Sequence, residues 1–337
     1  MKIGIISVTK SGNEVAKELQ KNFDIDLYSK ENIDNFNLNE IAKKLMEEYK
    51  AIIFISSTGI AVRAIAKYIK SKAKDPGVIV VDSCGKFVIS LLSGHLGGAN
   101  ELTLKVSEVL KAVPVITTAT DNLGVIAPDI VARDNSLIID TFKDAKDIAV
   151  LLVDKKKVGF IDLKSEISIP KGYSDDIQRV EGLVYVTHNK DFDKAVYKYN
   201  KVKMPENIVS LKLIRRDIVL GIGCRKDFDT NSMKDIVTEV LKELNIDERA
   251  VNAIGTVEVK KHETAITELS KYLNCDLKIF SLEEIKKVQH NYKGSDFVEK
   301  TIGVRAVCEP CVELLGAKLI TEKIKINGMT ICVGQII

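Results

Sequence analysis

Four short apolar runs limit what this chain can fold into: Lys2 to Val8, Ile25 to Tyr28, Ala51 to Ile55 and Val78 to Val81. They are β-branched or aliphatic almost throughout. A strand with one wet face alternates polar and apolar residues, whereas a strand covered on both faces reads as a continuous apolar run. Between the runs the spacing turns helical, with Val15, Ala16 and Leu19, then Ile41, Leu45 and Met46, then Ile60, Val62, Ile65 and Ile69. Ser11-Gly12 and Asp75-Pro76-Gly77 punctuate them as turns. Strand alternating with helix predicts an α/β fold with a mostly parallel sheet.

Later segments continue differently. The stretch 134–216 has a helical pattern at Asp140 to Val150 and strand patterns at Gly182 to Thr187 and Val209 to Leu213, and shows no cluster of chemically active residues. From Asp217 a second α/β pattern begins. It has strands at Ile218 to Gly223, Ala253 to Val257 and Leu277 to Phe280, a helix start at Ser281 with Glu284, and a terminal hairpin turning at Asn327-Gly328. The chain of 337 residues thus divides into an N-terminal α/β domain (1–133), a small central domain (134–216) and a C-terminal α/β domain (217–337).

Charge argues against a polyanionic partner. Lys and Arg number 50 against 47 Asp and Glu, so no nucleic-acid partner is expected. No apolar run is long enough to cross a bilayer, and no leader pattern precedes the first strand, so neither membrane nor export is expected and the cytoplasm is. Six cysteines are scattered at 84, 224, 275, 308, 311 and 332. Cys308 and Cys311 form one C-x-x-C pair, which supplies too few ligands for a zinc site and reads as packing.

Chemistry concentrates between Val78 and Asp121. Ser93-Gly94-His95-Leu96-Gly97-Gly98-Ala99-Asn100 joins a strand to a helix pattern. Its glycines let a ligand approach the backbone, and free N–H groups at a helix start favour an anion. His95 either carries protons at neutral pH or pins the loop. Ser93 is a further candidate catalytic residue. Asp82 ends a strand and either orients His95 or acts as a base. Ser57, Thr58 and Gly59 form a second strand-to-helix loop, with Arg63 one turn on, which is either suited to a carboxylate or a polarised carbonyl or is an ordinary N-cap with a surface Arg. Thr117, Thr118 and Asp121 end what reads as another parallel strand, and ligands collect at such ends. Gly223 with Arg225, and Lys260, form cationic turns in the last domain. They read either as carboxylate-binding edges or as solvated turns. The glycines there lack the spacing of a dinucleotide or phosphate loop.

These blocks resemble a known family. VVDSCGKFVISLLSGHLGGANELT with VPVITTATD, and FISSTGIAVRAIA before it, are similar to the cobalt-precorrin-5A hydrolases of anaerobic cobalamin biosynthesis, the CbiG family. GIGCRKD and IGVRAVCEPCVELL resemble the two ends of that family's CobE-like C-terminal domain, and residues 134–216 fall where the family has a variable central domain. Asp227 stands where a glycine is common, and Cys308 and Cys311 where small residues are usual. The resemblance implies a hydrolase that opens the ring A δ-lactone of cobalt-precorrin-5A and releases acetaldehyde. It implies no cofactor, since cobalt comes with the substrate, and an anionic macrocycle as partner. A homo-oligomer or transient contact with pathway enzymes is left open. His95 would then serve as base or acid, with Asp82 and Ser93 beside it. Gly97, Gly98, Ser57 and Thr58 would hold the oxyanion, and Arg63, Arg225 and Lys260 the propionates and acetates. The alternative is a binding or hand-over protein without turnover.

Overall fold

The computed structural model describes residues 2–191 and 208–337. The N-terminal runs form β1 (Ile3–Ser7), β2 (Ile25–Ser29), β3 (Ala51–Ile55) and β4 (Gly77–Val81). They pair in parallel in the order β2-β1-β3-β4, with Ile3 opposite Ile25 and Ala51, and Ala51 opposite Gly77. Side chains alternate between the faces, and both faces are covered. Ile3, Ile5, Ile53, Ile55, Ile79 and Val81 pack with Ala16 and Leu19 of α1 (Lys10–Gln20). Ile6, Ile52, Phe54, Val78 and Val80 face α2 (Leu38–Glu48) and α3 (Thr58–Ile65). Each fully buried Ile or Leu contributes about 1.5–3 kcal/mol of transfer free energy, so burial on both faces explains the continuous apolar runs.

Two further strands complete the sheet, and one reverses its sense. β5 (Phe87–Leu92) is antiparallel to β4, and β6 (Val113–Val115) is parallel to β5. The sheet is mostly parallel, as expected, but its sense reverses between β4 and β5, while β6 stays parallel to its neighbour. Only Asp82 to Lys86 connects β4 to β5, far short of the dozen or so residues that a parallel crossover needs. The register of this pair shifts between Val78 and Ile79: Ile79 faces Ser90 but Val78 faces Leu92, so Leu91 is unmatched. After β5 come α4 (Ala99–Leu110), which packs on the α1 face, α5 (Ala119–Leu123) and α6 (Pro128–Asp134).

The chain divides into two compact units. The first holds residues 1–133, 149–155 and 170–172, and the second holds the rest. In the second, β7 (Ile138–Ile139), β8 (Val158–Asp162), β9 (Gly182–Thr187) and β10 (Val209–Ile214) form a sheet in the order β7-β10-β9-β8. α7 (Phe142–Val153) runs between β7 and β8.

A further sheet in the same unit orders its strands β13-β12-β11-β16-β14. β11 (Ile218–Cys224), β12 (Val251–Val257) and β13 (Asp276–Phe280) are parallel. β16 (Met329–Ile336) runs against β11, and β14 (Ala317–Leu319) and β15 (Ile324–Ile326) pair with β16. α8 (Thr230–Glu243) and α9 (Thr264–Tyr272) pack against this sheet, as does α12 (Cys308–Leu314), which follows α10 (Leu282–Val288) and α11 (Asp296–Ile302). The expected capping box at Ser281 and Glu284 is present, and Asn327 and Gly328 turn the β15–β16 hairpin with φ of 51° and 85°. Among the described residues no helix is long and apolar enough to cross a membrane.

Candidate active site

The reversal of β5 decides where chemistry can occur in the first unit. Residues that follow β1, β3 and β4 lie at one edge of the sheet. Residues that follow β5 and β6 lie at the other, beside the start of β4. A Cβ on Gly77, the first residue of β4, would meet the Gly97 carbonyl oxygen at 2.3 Å, which fixes the glycine loop at that end. The five residues of β4 separate the two edges by roughly 16 Å at about 3.3 Å per residue.

His95 is the centre of the second edge. Its Nδ1 lies 3.1 Å from Asp129 Oδ1 and its Nε2 3.0 Å from Asp121 Oδ2. A neutral imidazole donates from one nitrogen only, so two facing carboxylates require the imidazolium. The hydrogen bond that Asp129 accepts raises the His95 pKa above its usual value; burial opposes this, and the charges of Asp129 and Asp121 add to it. Burial pushes the Asp129 carboxyl up, but the hydrogen bond and charge of His95 prevail and hold it below the ordinary carboxylate range. Thr120 Oγ1 sits 3.4 Å from Nε2, and Arg133 Nη1 donates to the His95 carbonyl oxygen at 2.9 Å.

Asn100 organises the carboxylate. Its Nδ2 donates to Asp121 Oδ2 at 3.0 Å and to Thr118 Oγ1 at 2.8 Å, while its Oδ1 accepts from Ser90 Oγ at 2.6 Å. Asn100 is buried, so it acts as a brace and not as a substrate contact. Thr117 is exposed on the same loop.

The glycine loop differs from expectation in two ways. The Gly98 N–H donates to the His95 carbonyl at 3.0 Å, so Gly98 offers no donor to an oxyanion; the N–H groups of Ala99 and Asn100 are also engaged within the loop. Ser93 adopts a positive φ of 55°, and its Oγ is buried without a partner among the described residues, which removes it as a nucleophile facing substrate. Gly97 fits only as glycine, since a Cβ would lie 2.4 Å from Ser93 Cβ and 2.8 Å from the Gly77 nitrogen.

At the first edge the expected partners are elsewhere engaged. Asp82 does not reach His95. It closes its own turn, accepting from the backbone N–H of Lys86 and Phe87 at 2.7 Å each and of Cys84 at 3.0 Å. Partial burial pushes its pKa up, but these hydrogen bonds outweigh it and hold the carboxyl low. Ser57 caps α3 without a side-chain bond, and Thr58 and Gly59 open that helix. Arg63 folds back onto the Gly59 carbonyl at 3.2 Å. These four residues share the sheet with His95 but not its edge, so they cannot share an oxyanion with Gly97.

The second unit carries the remaining expected residues. Gly223 packs against Thr330, whose Oγ1 donates to the Gly223 carbonyl at 3.2 Å. Lys260 lies 3.3 Å from Glu263 and is partly buried. Arg225 is exposed, with its guanidinium 5.7 Å from the centre of the Phe228 ring. Cys308 and Cys311 are buried in apolar clusters with Val312 and Val307. Burial pushes the Cys224 thiol up to about 11, against a nucleophilic role.

Sequence reasoning found no cluster between Asp140 and Arg216, but the described part of that stretch holds one; 192–207 lie outside the described residues. Arg215 forks onto Asp162 at 2.7 Å and Glu166 at 2.6 Å. Lys164 reaches Asp217, Glu166 and the Ile336 carbonyl. His188 pairs with Asp217 at 3.1 Å. Lys212 and Asp247, both buried, pair at 2.8 Å, and Asp247 is held at about 2: burial raises it, and bonds from Arg249 and Lys212 lower it further. A cavity of about 450 Å³ opens beside Lys164, Arg215 and Asp217, but both cations are already paired.

Two family models match the chain: cobalamin synthesis G N-terminal over residues 40–121 and cobalamin synthesis G C-terminus over residues 218–334. A cobalt-precorrin-5A hydrolase of Salmonella typhimurium is 33% identical and aligned over 98% of this chain and 97% of the relative. This chain belongs to the CbiG family. A second cobalt-precorrin-5A hydrolase, from Priestia megaterium, is 29% identical over 98% of this CbiG chain and 94% of its own. A solved structure of a cobalamin biosynthesis protein G homolog from Sulfolobus solfataricus is 22% identical, covers 99% of this chain and 97% of that one, and has a TM-score of 0.42. His95, Asn100 and Asp121 fall inside the first matched segment of this CbiG chain, and Asp129 lies beyond it. Sequence reasoning missed Asp129 and Arg133. Their signal was slight: a Pro-Asp helix start that reads locally as nothing more than a helix terminus.

Proposed function

We propose that this chain is a cobalt-precorrin-5A hydrolase. It opens the ring A δ-lactone of that substrate and releases the two-carbon unit as acetaldehyde, leaving cobalt-precorrin-5B, with the substrate's own cobalt and no further cofactor. Near-full-length similarity to curated hydrolases of that name supports the substrate. The observation that carries the chemistry is a histidine ring bracketed by two carboxylates in a glycine loop.

The reaction has two demands. Water must add to the lactone carbonyl while the acyl–oxygen bond breaks and the leaving oxygen gains a proton. The freed hydroxyl must then lose its proton as the carbon–carbon bond breaks, with the electron pair kept by the macrocycle and a proton delivered there. Both steps need a group that exchanges protons close to one that stabilises charge. His95, held between Asp121 and Asp129, is the centre of such a set. Its charge also draws electron density toward the breaking bond.

The test is acetaldehyde release from cobalt-precorrin-5A by purified protein. His95→Ala is expected to lower the rate by roughly 10²–10⁴-fold. Tight binding of the macrocycle with no acetaldehyde from the wild-type protein would replace this reading with a hand-over role.

A further inference from the structure

We infer that Asp121 is the catalytic base of the His95 site and that Asp129 is a positioning residue that holds His95 behind it. This rests on the hydrolase reading above.

The two carboxylates are not equivalent. The Asp121 side chain is 32% exposed, against 10% for Asp129 and 14% for His95, so Asp121 is the member of the trio that faces solvent. Its two oxygens are also divided. Oδ2 receives both His95 Nε2 and Asn100 Nδ2, whereas Oδ1 carries no hydrogen bond among the described residues. One oxygen is anchored and the other is presented. Asp129 is the reverse case. It is buried on α6, and its Oδ1 receives His95 Nδ1 and the Ile130 N–H at 3.1 Å each.

Charge explains why a second carboxylate is needed. His95 alone against Asp121 would neutralise it and weaken it as a base. With Asp129 behind the imidazolium, the trio carries a net single negative charge, which Asp121 presents. The neighbouring charges are Arg133, which donates to the His95 carbonyl, Glu101, 3.9 Å from Arg133, and Lys72, whose charge acts on Asp129. The proton balance then closes. Asp121 Oδ1 takes a proton from water as its oxygen bonds to the lactone carbon. The acyl–oxygen bond breaks, and the leaving oxygen takes that proton back. The same oxygen takes the hydroxyl proton as the carbon–carbon bond breaks, and returns it to the carbon that held the lost fragment. His95, already an imidazolium, takes neither proton; its Nε2–Oδ2 contact holds the carboxylate in place while Oδ1 exchanges them.

The experiment combines steady-state acetaldehyde release across pH with an NMR titration of the imidazole signals. The chain has 4 His, so His95→Gln assigns the relevant one. Asp121→Asn is expected to lower kcat by roughly 10²–10⁴-fold with KM within about threefold. Asp129→Asn is expected to lower the His95 titration midpoint by about one unit or more, shift the pH profile with it and reduce kcat by about 10-fold. Asp129→Glu should recover part of each. An Asp121→Asn enzyme within about threefold of wild type overturns the base. An Asp129→Asn protein with an unmoved titration and pH profile overturns the positioning role. If Asp129→Asn does not fold, Asp129→Ser gives the same readouts. A wild-type protein that releases no acetaldehyde removes the hydrolase reading and the base with it, while the titration still decides Asp129.

Discussion

The two edges of the N-terminal sheet hold similar residue types and use them in opposite ways. At one edge the carboxylate of Asp82 is absorbed by three N–H groups of its own turn, and Arg63 bonds to its own helix. At the other, side chains from separate elements converge: His95 from the loop after β5, Asn100 from α4, Asp121 from α5 and Asp129 from α6. A polar group satisfied by its immediate neighbours builds a turn. One satisfied only across long sequence separations fixes a geometry, and fixed geometry is what proton transfer requires.

Glycine substitutions set the two edges against each other most strongly. Gly97→Ala forces backbone apart, since the nearest atoms to its Cβ include the Gly77 nitrogen. It is expected to cost about 1–3 kcal/mol in denaturant unfolding and to abolish acetaldehyde release. Gly59→Ala meets only the Arg63 Nη1, the end of a flexible side chain, at 3.2 Å. It is expected to be neutral or to stabilise by about 0.4–1 kcal/mol. Equal destabilisation by both would erase the distinction.

Asp82→Ala has the next largest effect. It leaves turn N–H groups to water on a partly exposed loop, so about 1 kcal/mol is expected in unfolding experiments, with turnover within about twofold of wild type. A large loss of turnover at unchanged stability would return Asp82 to the reaction.

Smallest is a pH effect confined to the His95 edge. The His95 pKa is raised on folding, so its contribution is complete below the ordinary histidine value of about 6.5 and is lost as pH rises through the raised value. The Asp129 pKa is lowered, so its share is complete above the ordinary value of about 3.9 and is lost as pH falls through the lowered one. The Tm difference between wild type and His95→Gln should therefore be greatest between roughly pH 4 and 6.5. It should shrink on the alkaline side and in strong acid. A difference independent of pH would show that His95 serves only as packing.

Much of this architecture was legible in the chain. Ile3 to Ile6 and Ile52 to Ile55 announce strands covered on both faces, and Ser281 with Glu284 marks a helix start that the structure keeps. The importance of the Ser93–Asn100 loop was legible too, because glycines and a histidine between strand and helix have few other uses. The sense of β5 was also written there, in a link too short for a parallel crossover, and overlooking it placed Asp82 and Ser57 beside His95. Asp129 was not legible. Its meeting with His95 joins positions 34 residues apart through tertiary packing that no local pattern encodes. The buried pair Lys212 and Asp247 was hidden for the same reason.

The unmatched Leu91 in β5 has a consequence for how this site could arise or be lost. Side chains along a strand alternate with a period of two, so one surplus residue inverts the parity of everything that follows. From Leu92 onward the chain is out of phase with a regular hairpin, and the loop carrying His95 inherits that phase. Point substitutions in β5 change what a position holds and deletion of Leu91 would leave Leu92 opposite Val78, whereas inserting one residue there would change which way the loop faces. In this stretch chain length is therefore as much a part of the specification as chemistry, and an insertion is the sharper lesion.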